Sequence, residues 1–206
     1  MKREEKNQQM RRRIMDSALM EFSVKGYGAS SVNTICGEKD ISKGILYHYF
    51  DTKDDLFLAC VRECFTLLTE FIRENMQAAE GSDSYQLEQY FNIRMAFFEK
   101  YPVYQWVFCE AVIITPPVHL SFQIQEYRKD FDRMNAQILE RLLEPIELRP
   151  GITKAEAIEI FRQFQDFFHA NYQRAEGAGR EFENHEESYK RAADILLYGI
   201  VNRKQG

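Results

Sequence analysis

Residues 30–53 run Ser30-Ser31-Val32-Asn33-Thr34-Ile35-Cys36-Gly37-Glu38-Lys39-Asp40-Ile41-Ser42-Lys43-Gly44-Ile45-Leu46-Tyr47-His48-Tyr49-Phe50-Asp51-Thr52-Lys53. They spell two short helices joined by a tight turn, followed by the start of a third. A hydroxyl at Ser30 or Ser31 caps the first helix by accepting from an orphan amide of its first turn. Val32, Ile35 and Cys36 fall on one side of that helix. The Glu38-Lys39-Asp40 step interrupts the periodicity. Ser42 then offers a second N-cap, with Leu46 and Phe50 spaced i, i+4 on the inward side. Lys43, Tyr47 and His48 are left facing outward. A short capped helix carrying a cation and aromatics with polar tips suits a DNA major groove.

Residues 14 to 58 resemble the N-terminal domain of the TetR family of bacterial transcriptional regulators. The matching pieces are Ala18 and Phe22 on a first helix, its Gly26-Tyr27 terminus, Ser31-Val32 opening the second, the run Ile41 to Phe50, and Lys53-Asp54-Asp55-Leu56-Phe57 opening the fourth. The resemblance implies that Ser42, Lys43, Gly44, Tyr47, His48 and Tyr49 face DNA, that Ser31 anchors the backbone, and that Lys53 lies on a phosphate. Lys39 and Asp40 stand where the family usually has Ala and Gly. Asp tolerates left-handed backbone better than most residues, so the turn is expected to survive. Ile45 stands where the family usually has Thr, exchanging a hydroxyl for an apolar group that can meet a thymine methyl. The operator sequence is therefore not transferable from relatives.

The net charge of -5 is unevenly spread. Residues 1–13 carry +4, residues 1–60 carry +1, and residues 61–206 carry -6. The basic arm Lys2 to Arg13 either lies along phosphates or is a solvated tail. Met1-Lys2-Arg3-Glu4-Glu5-Lys6 lacks a signal peptide's apolar core, and no apolar run is long enough to span a bilayer, so a cytoplasmic protein without membrane contact is expected. Cys36, Cys60, Cys64 and Cys109 are not needed as disulfide staples in a chain this long. Cys60 and Cys64 share a metal-ligand spacing, but no further Cys or His is near in sequence, which favours small buried hydrophobes. No cofactor is called for.

Along the chain, Met10 to Lys25 is amphipathic, with Ile14, Ala18, Leu19 and Phe22 inward and Gly26 as C-cap. Thr52 caps a long helix reaching about Gln77, with Asp54 and Asp55 in its first turn. Further helices are expected over 85–101, 102–114, 120–143, 153–175 and 183–201, punctuated by Pro102, Pro116-Pro117, Pro145 and Pro150. No strand alternation and no internal repeat is visible. The fold class is all-α, with a helix-turn-helix domain over 1–52 and a helical effector-binding and dimerisation domain over 53–206.

Two late apolar stripes, Ile158, Phe161, Phe164, Phe168 and Tyr172, then Tyr189, Ala193, Leu196 or Leu197 and Ile200, either close the chain's own core or meet a second copy. The resemblance implies a homodimer joined by a four-helix bundle. In the middle of the chain, Tyr104, Trp106 and Phe131 belong to a dense aromatic region suited to a small-molecule effector. Glu110 shares an apolar face with Trp106, so its carboxylate either meets a cationic ligand, sits at the edge of the face or pairs with an arginine. His119 and His169 are weaker candidates, each more often a structural histidine.

Neither a phosphate-binding loop, nor a nucleophile elbow, nor a metal quartet is present, which argues against an enzyme. The expected function is a ligand-released repressor binding a palindromic operator. An activator, or a helical interaction module that keeps the fold without DNA, is the alternative.

Overall fold

The computed structural model describes residues 3–37, 41–77, 83–112, 117–164, 191–192 and 195–196. In order, the helices are α1 (Arg3–Ala29), α2 (Val32–Gly37), α3 (Lys43–Tyr49), α4 (Lys53–Gln77), α5 (Asp83–Lys100), α6 (Pro102–Val112), a 3₁₀ turn (Val118–Leu120) and α7 (Ser121–Leu143). Residues 154–164 are also helical. No strand occurs among the described residues, so the fold is all-α. None of their helices is long and apolar enough to cross a membrane.

Helix α1 begins seven residues before the expected Met10. Residues 3–9 have no apolar stripe for periodicity to find, but Arg, Glu, Lys and Gln favour helix, and Glu4 and Glu5 lie at its positive end. At the other end Gly26 kinks the helix, with φ 70° and ψ 168°, and a final turn continues to Ala29.

The chain divides into two compact units, residues 1–66 with 101–128, and residues 67–100 with 129–206. In the first, Ile14, Ala18, Leu19 and Phe22 of α1 are buried as their spacing predicts. Burial of each large aliphatic or aromatic side chain contributes about 1.5–3 kcal/mol. Helix α6 packs along α1. Phe22 meets Phe57 of α4 edge-to-face at 5.3 Å. The expected boundary at residue 52 does not coincide with this division. Phe57, Cys60 and Cys64 of α4 and Val107, Phe108 and Cys109 of α6 are buried in the same unit as α1. The four cysteines are buried thiols outside any disulfide, and burial pushes the Cys60 thiol pKa upward.

Polar bonds fix the short helices. Ser17 Oγ donates to Ile35 O at 2.7 Å, which ties α2 to α1. Buried Glu21 accepts from the Ser31 amide at 3.0 Å at the entrance to α2, and Lys25 lies 3.3 Å from the same carboxylate oxygen. Ser31 Oγ accepts from the Asn33 amide at 3.2 Å. Thr52 and Asp55 exchange side-chain and backbone bonds of 3.0 Å at the start of α4, a reciprocal cap.

In the second unit, Tyr90 donates its hydroxyl to Asn135 Oδ1 at 2.9 Å in the interior. Phe71 and Phe97 meet edge-to-face at 5.6 Å. Phe161, expected at a dimer interface, is fully buried within the chain itself. Phe164 and Leu196, also expected at that interface, are partly exposed. Phe168, Tyr189, Ala193, Leu197 and Ile200 lie outside the described residues.

Candidate nucleic-acid interface

Helix α3 has two faces. Leu46 is fully buried, and Ile41 and Phe50 flank it in the core. Ser42 caps the helix by accepting from the Ile45 amide at 3.2 Å. With those residues fixed inward, the 3.6-residue period turns the others out. Ser42, Lys43, Gly44, Ile45, Tyr47 and His48 are all exposed, and Tyr49 is partly so. Tyr47 has no hydrogen-bond or ring partner among the described residues and is 46% exposed. Its ring is therefore held out by the helix alone. His48 and Tyr49 meet edge-to-face at 5.2 Å. Lys39 and Asp40, the unusual turn residues, lie outside the described residues.

Beside α3 lies a groove of about 680 Å³. Its walls are Arg3, Lys6, Asn7 and Met10 of α1, and Ser42, Gly44, Ile45, His48 and Tyr49. From Arg3 onward the basic arm is thus helical and stands against α3. An alkyl group built on Gly44 would find only Ser42 Oγ, at 4.0 Å, so no packing inside the protein requires a glycine there.

Lys53, expected on a phosphate, has partners within the chain. Its ammonium donates to Tyr27 O at 2.8 Å and Ser30 O at 3.3 Å, and lies 4.3 Å from the Tyr27 ring centroid. The carbonyls at the end of α1 carry the helix's partial negative charge and attract it. Sequence reasoning had no means of seeing this, since the partners lie 23 and 26 residues away.

Tyr27 is the centre of a connected set of groups that sequence reasoning missed. Its amide donates to Glu110 Oε2 at 2.7 Å. Its hydroxyl donates to Asp54, whose other oxygen lies 2.7 Å from His119 Nε2. Its ring lies 4.7 Å from that of Phe57. Burial and the bond to Asp54 push the phenol pKa upward, and the same bond holds the Asp54 carboxyl below its usual range. His119 is accordingly a structural partner of Asp54.

The residues expected to meet an effector have these surroundings. Glu110 accepts from the Tyr27 amide at 2.7 Å. Tyr104 donates to Glu63 Oε2 at 2.7 Å, and Arg12 donates to Glu63 Oε1 at 2.7 Å. Trp106 Nε1 is buried with no acceptor among the described residues, beside Gly26. Phe131 belongs to the second unit, where the Arg94 guanidinium lies 5.4 Å over its ring. His169 lies outside the described residues.

Burial raises the Glu110 pKa, against the lowering effects of the Tyr27 amide and Lys53. A carboxyl that titrates higher in the fold than in the unfolded chain contributes stability that is complete below the unfolded value and lost as pH rises through the folded one. Glu110→Gln keeps an acceptor and removes that titration. Its stability relative to the parent chain is expected to improve steadily from pH 4 to pH 7 in thermal melts. Asp54 has the opposite pH dependence but is present in both proteins and drops out of the difference.

Residues 14–60 match the model of the family described as bacterial regulatory proteins, tetR family. Residues 14–60 thus carry the N-terminal domain of that family. Over 196 residues the chain is 22% identical to IcaR of Staphylococcus epidermidis, the negative transcriptional regulator of the biofilm operon icaADBC, covering 94% of this chain and 97% of that one. IcaR of Staphylococcus aureus is 33% identical over 73 residues, 35% of this chain and 39% of its own length. Among solved structures, FadR of Bacillus halodurans, a fatty acid degradation regulator, superposes with a TM-score of 0.77 at 18% identity, covering 94% of this chain and 97% of that one. FadR of Bacillus subtilis in complex with stearoyl-CoA gives 0.73 at 17% identity, covering 91% and 98%. These structural likenesses carry the fold and no more.

Proposed function

We propose that the chain is a homodimeric repressor, working in the cytoplasm, that reads a palindromic operator through α3 and is released by a small molecule. The observation that carries this reading is the outward face of α3. Lys43, Ile45, Tyr47 and His48 are exposed on a helix whose other side is locked into the core. Such a helix can enter a major groove without rearranging, and the ring of Tyr47 has nothing else to do.

Repression is supported by the negative regulator among the relatives. A dimer is supported by Ile160 and Ile195, which are 41% and 67% exposed on helical stretches of the second unit. Two-fold symmetry would set two copies of α3 about 34–36 Å apart, one turn of DNA. Release by an effector is supported by the stearoyl-CoA complex of a protein of this fold. In this chain Glu110 and Tyr104 serve as links between α6 and its neighbours. A displacement of α6 would be felt at the α1 kink through the Tyr27 amide.

The test is fluorescence anisotropy against DNA upstream of the chain's own gene, with Lys43→Ala alongside and with long-chain acyl-CoA as the first effector probe. One palindromic segment should bind tightly over competitor DNA, and weakly to the variant. Binding no better than to random DNA would count against the reading, and unchanged affinity in a full effector panel would remove its ligand-released part.

Gly44→Ala separates fold from function. Alanine in place of a helical glycine with open space around it should raise stability by about 0.5 kcal/mol. The added methyl projects into the groove where DNA must approach, so affinity for the same duplex should fall at least about tenfold. Paired melts and anisotropy titrations check both signs.

A further inference from the structure

We infer that the first two turns of α1 form a second DNA-binding wall, that Arg3 and Lys6 bind phosphates next to the bases read by α3, and that Asn7 holds this wall in place through Tyr49. The inference rests on the DNA-binding reading and extends it to residues outside the stretch that matches the family model, which begins at residue 14.

Three observations converge. First, charges on these turns are sorted by helical phase. Arg3, Lys6, Asn7 and Met10, spaced i, i+3, i+4 and i+7, line the groove, whereas Glu4 and Glu5 do not. The local charge facing α3 is therefore positive although the run itself alternates in sign. Second, the groove opens beside Gly44, where the helix surface carries no side chain and a phosphodiester strand can come close. Third, the Tyr49 hydroxyl donates to Asn7 Oδ1 and joins the two walls through side chains 42 residues apart in sequence.

That bond changes the role of Tyr49. Its only proton is spent on Asn7, and its ring backs His48. Tyr49 is thus a positioning residue, and Asn7 is its counterpart on α1. A phosphate-binding wall should act on all sequences alike and through counterion release, unlike a base contact.

The test uses the full chain and the strongest duplex recovered from a randomised library of about 30 base pairs, long enough for two half-sites. Affinity is measured across a salt series for the parent chain, Tyr47→Ala, Arg3→Ala, Lys6→Ala, Asn7→Ala, Tyr49→Phe and the Asn7→Ala/Tyr49→Phe pair. Loss of each cation should lower the slope of log affinity against log salt by about 1 per half-site, and weaken specific and random DNA equally. Asn7→Ala and Tyr49→Phe should each weaken binding about three- to tenfold, with no further loss in the pair.

The deciding readout is the slope for Asn7→Ala. Asparagine carries no charge, so a purely structural role would leave the slope intact, whereas detaching the wall should lower it as the cation variants do. Normal slopes for Arg3→Ala, Lys6→Ala and Asn7→Ala, with Tyr47→Ala still damaging, would overturn this inference and leave the DNA reading standing. Failure of the parent chain to recover any duplex would overturn both.

Discussion

Gly26→Ala is expected to lower the stability of the fold by about 3 kcal/mol, a fall in Tm of roughly 6–12 °C for a chain of this size. Two effects add. With φ 70° and ψ 168°, residue 26 sits in a backbone region open essentially to glycine alone. A methyl group there would also lie 2.6 Å from Glu110 Oε1 and 3.5 Å from Trp106 Nε1. The carboxylate would have to move, which puts its 2.7 Å bond to the Tyr27 amide at risk. Gly28 provides the control. It lies two residues on, in the same helix, with nothing within 4 Å of an added carbon. Gly28→Ala should be neutral or stabilising by up to about 1 kcal/mol. Urea titrations of both variants would check the contrast. Adding Glu110→Ala to Gly26→Ala should relieve the clash but not the backbone strain.

Tyr47→Ala should leave the melting temperature within about 1 °C of the parent chain while reducing affinity for a specific duplex at least about thirtyfold. The side chain is 46% exposed and supports nothing in the protein, so its removal forms no cavity. On DNA each half-site loses one contact worth about 1–3 kcal/mol. The loss is counted twice in a two-fold complex. Circular dichroism melts beside anisotropy titrations would separate the two effects. A large drop in Tm would instead assign Tyr47 to the fold.

Helix α3 was legible because everything that shapes it is local. Ser42 caps it, Leu46 and Phe50 bury one side, and the period turns Lys43 and Tyr47 outward. The inward set on α1 was legible for the same reason. Its start was not, because residues 3–9 hold their helix by propensity without an apolar stripe. Glu4 and Glu5, with no breaker before Gly26, were the available signal. The Glu110 partner was not legible for a different reason. A half-buried carboxylate demands a partner, and the sequence left a ligand, an edge position or an arginine open, whereas the structure supplies a backbone amide 83 residues away that the kink at Gly26 leaves available. Lys53 follows the same pattern. A cation at the start of a helix reads as a phosphate ligand until the end of another helix is known to lie beside it. Phe161 shows the limit of an apolar stripe, which reports that a residue is buried without saying whether its own chain or a second copy buries it.

These cases share a physical cause. Periodicity and capping act over one or two turns, so the sequence displays them directly. Partnerships across the fold depend on where helix ends arrive, which no local pattern encodes.

The account stands or falls on whether α3 reads DNA in a sequence-specific manner. The most direct measurement is selection of bound duplexes from a randomised library by the purified full chain, repeated with Tyr47→Ala. The prediction is enrichment of one palindromic motif with half-site centres about 10–10.5 base pairs apart, lost in the variant. Recovery of no motif above the input by a folded protein, or of the same motif by both proteins, would contradict it.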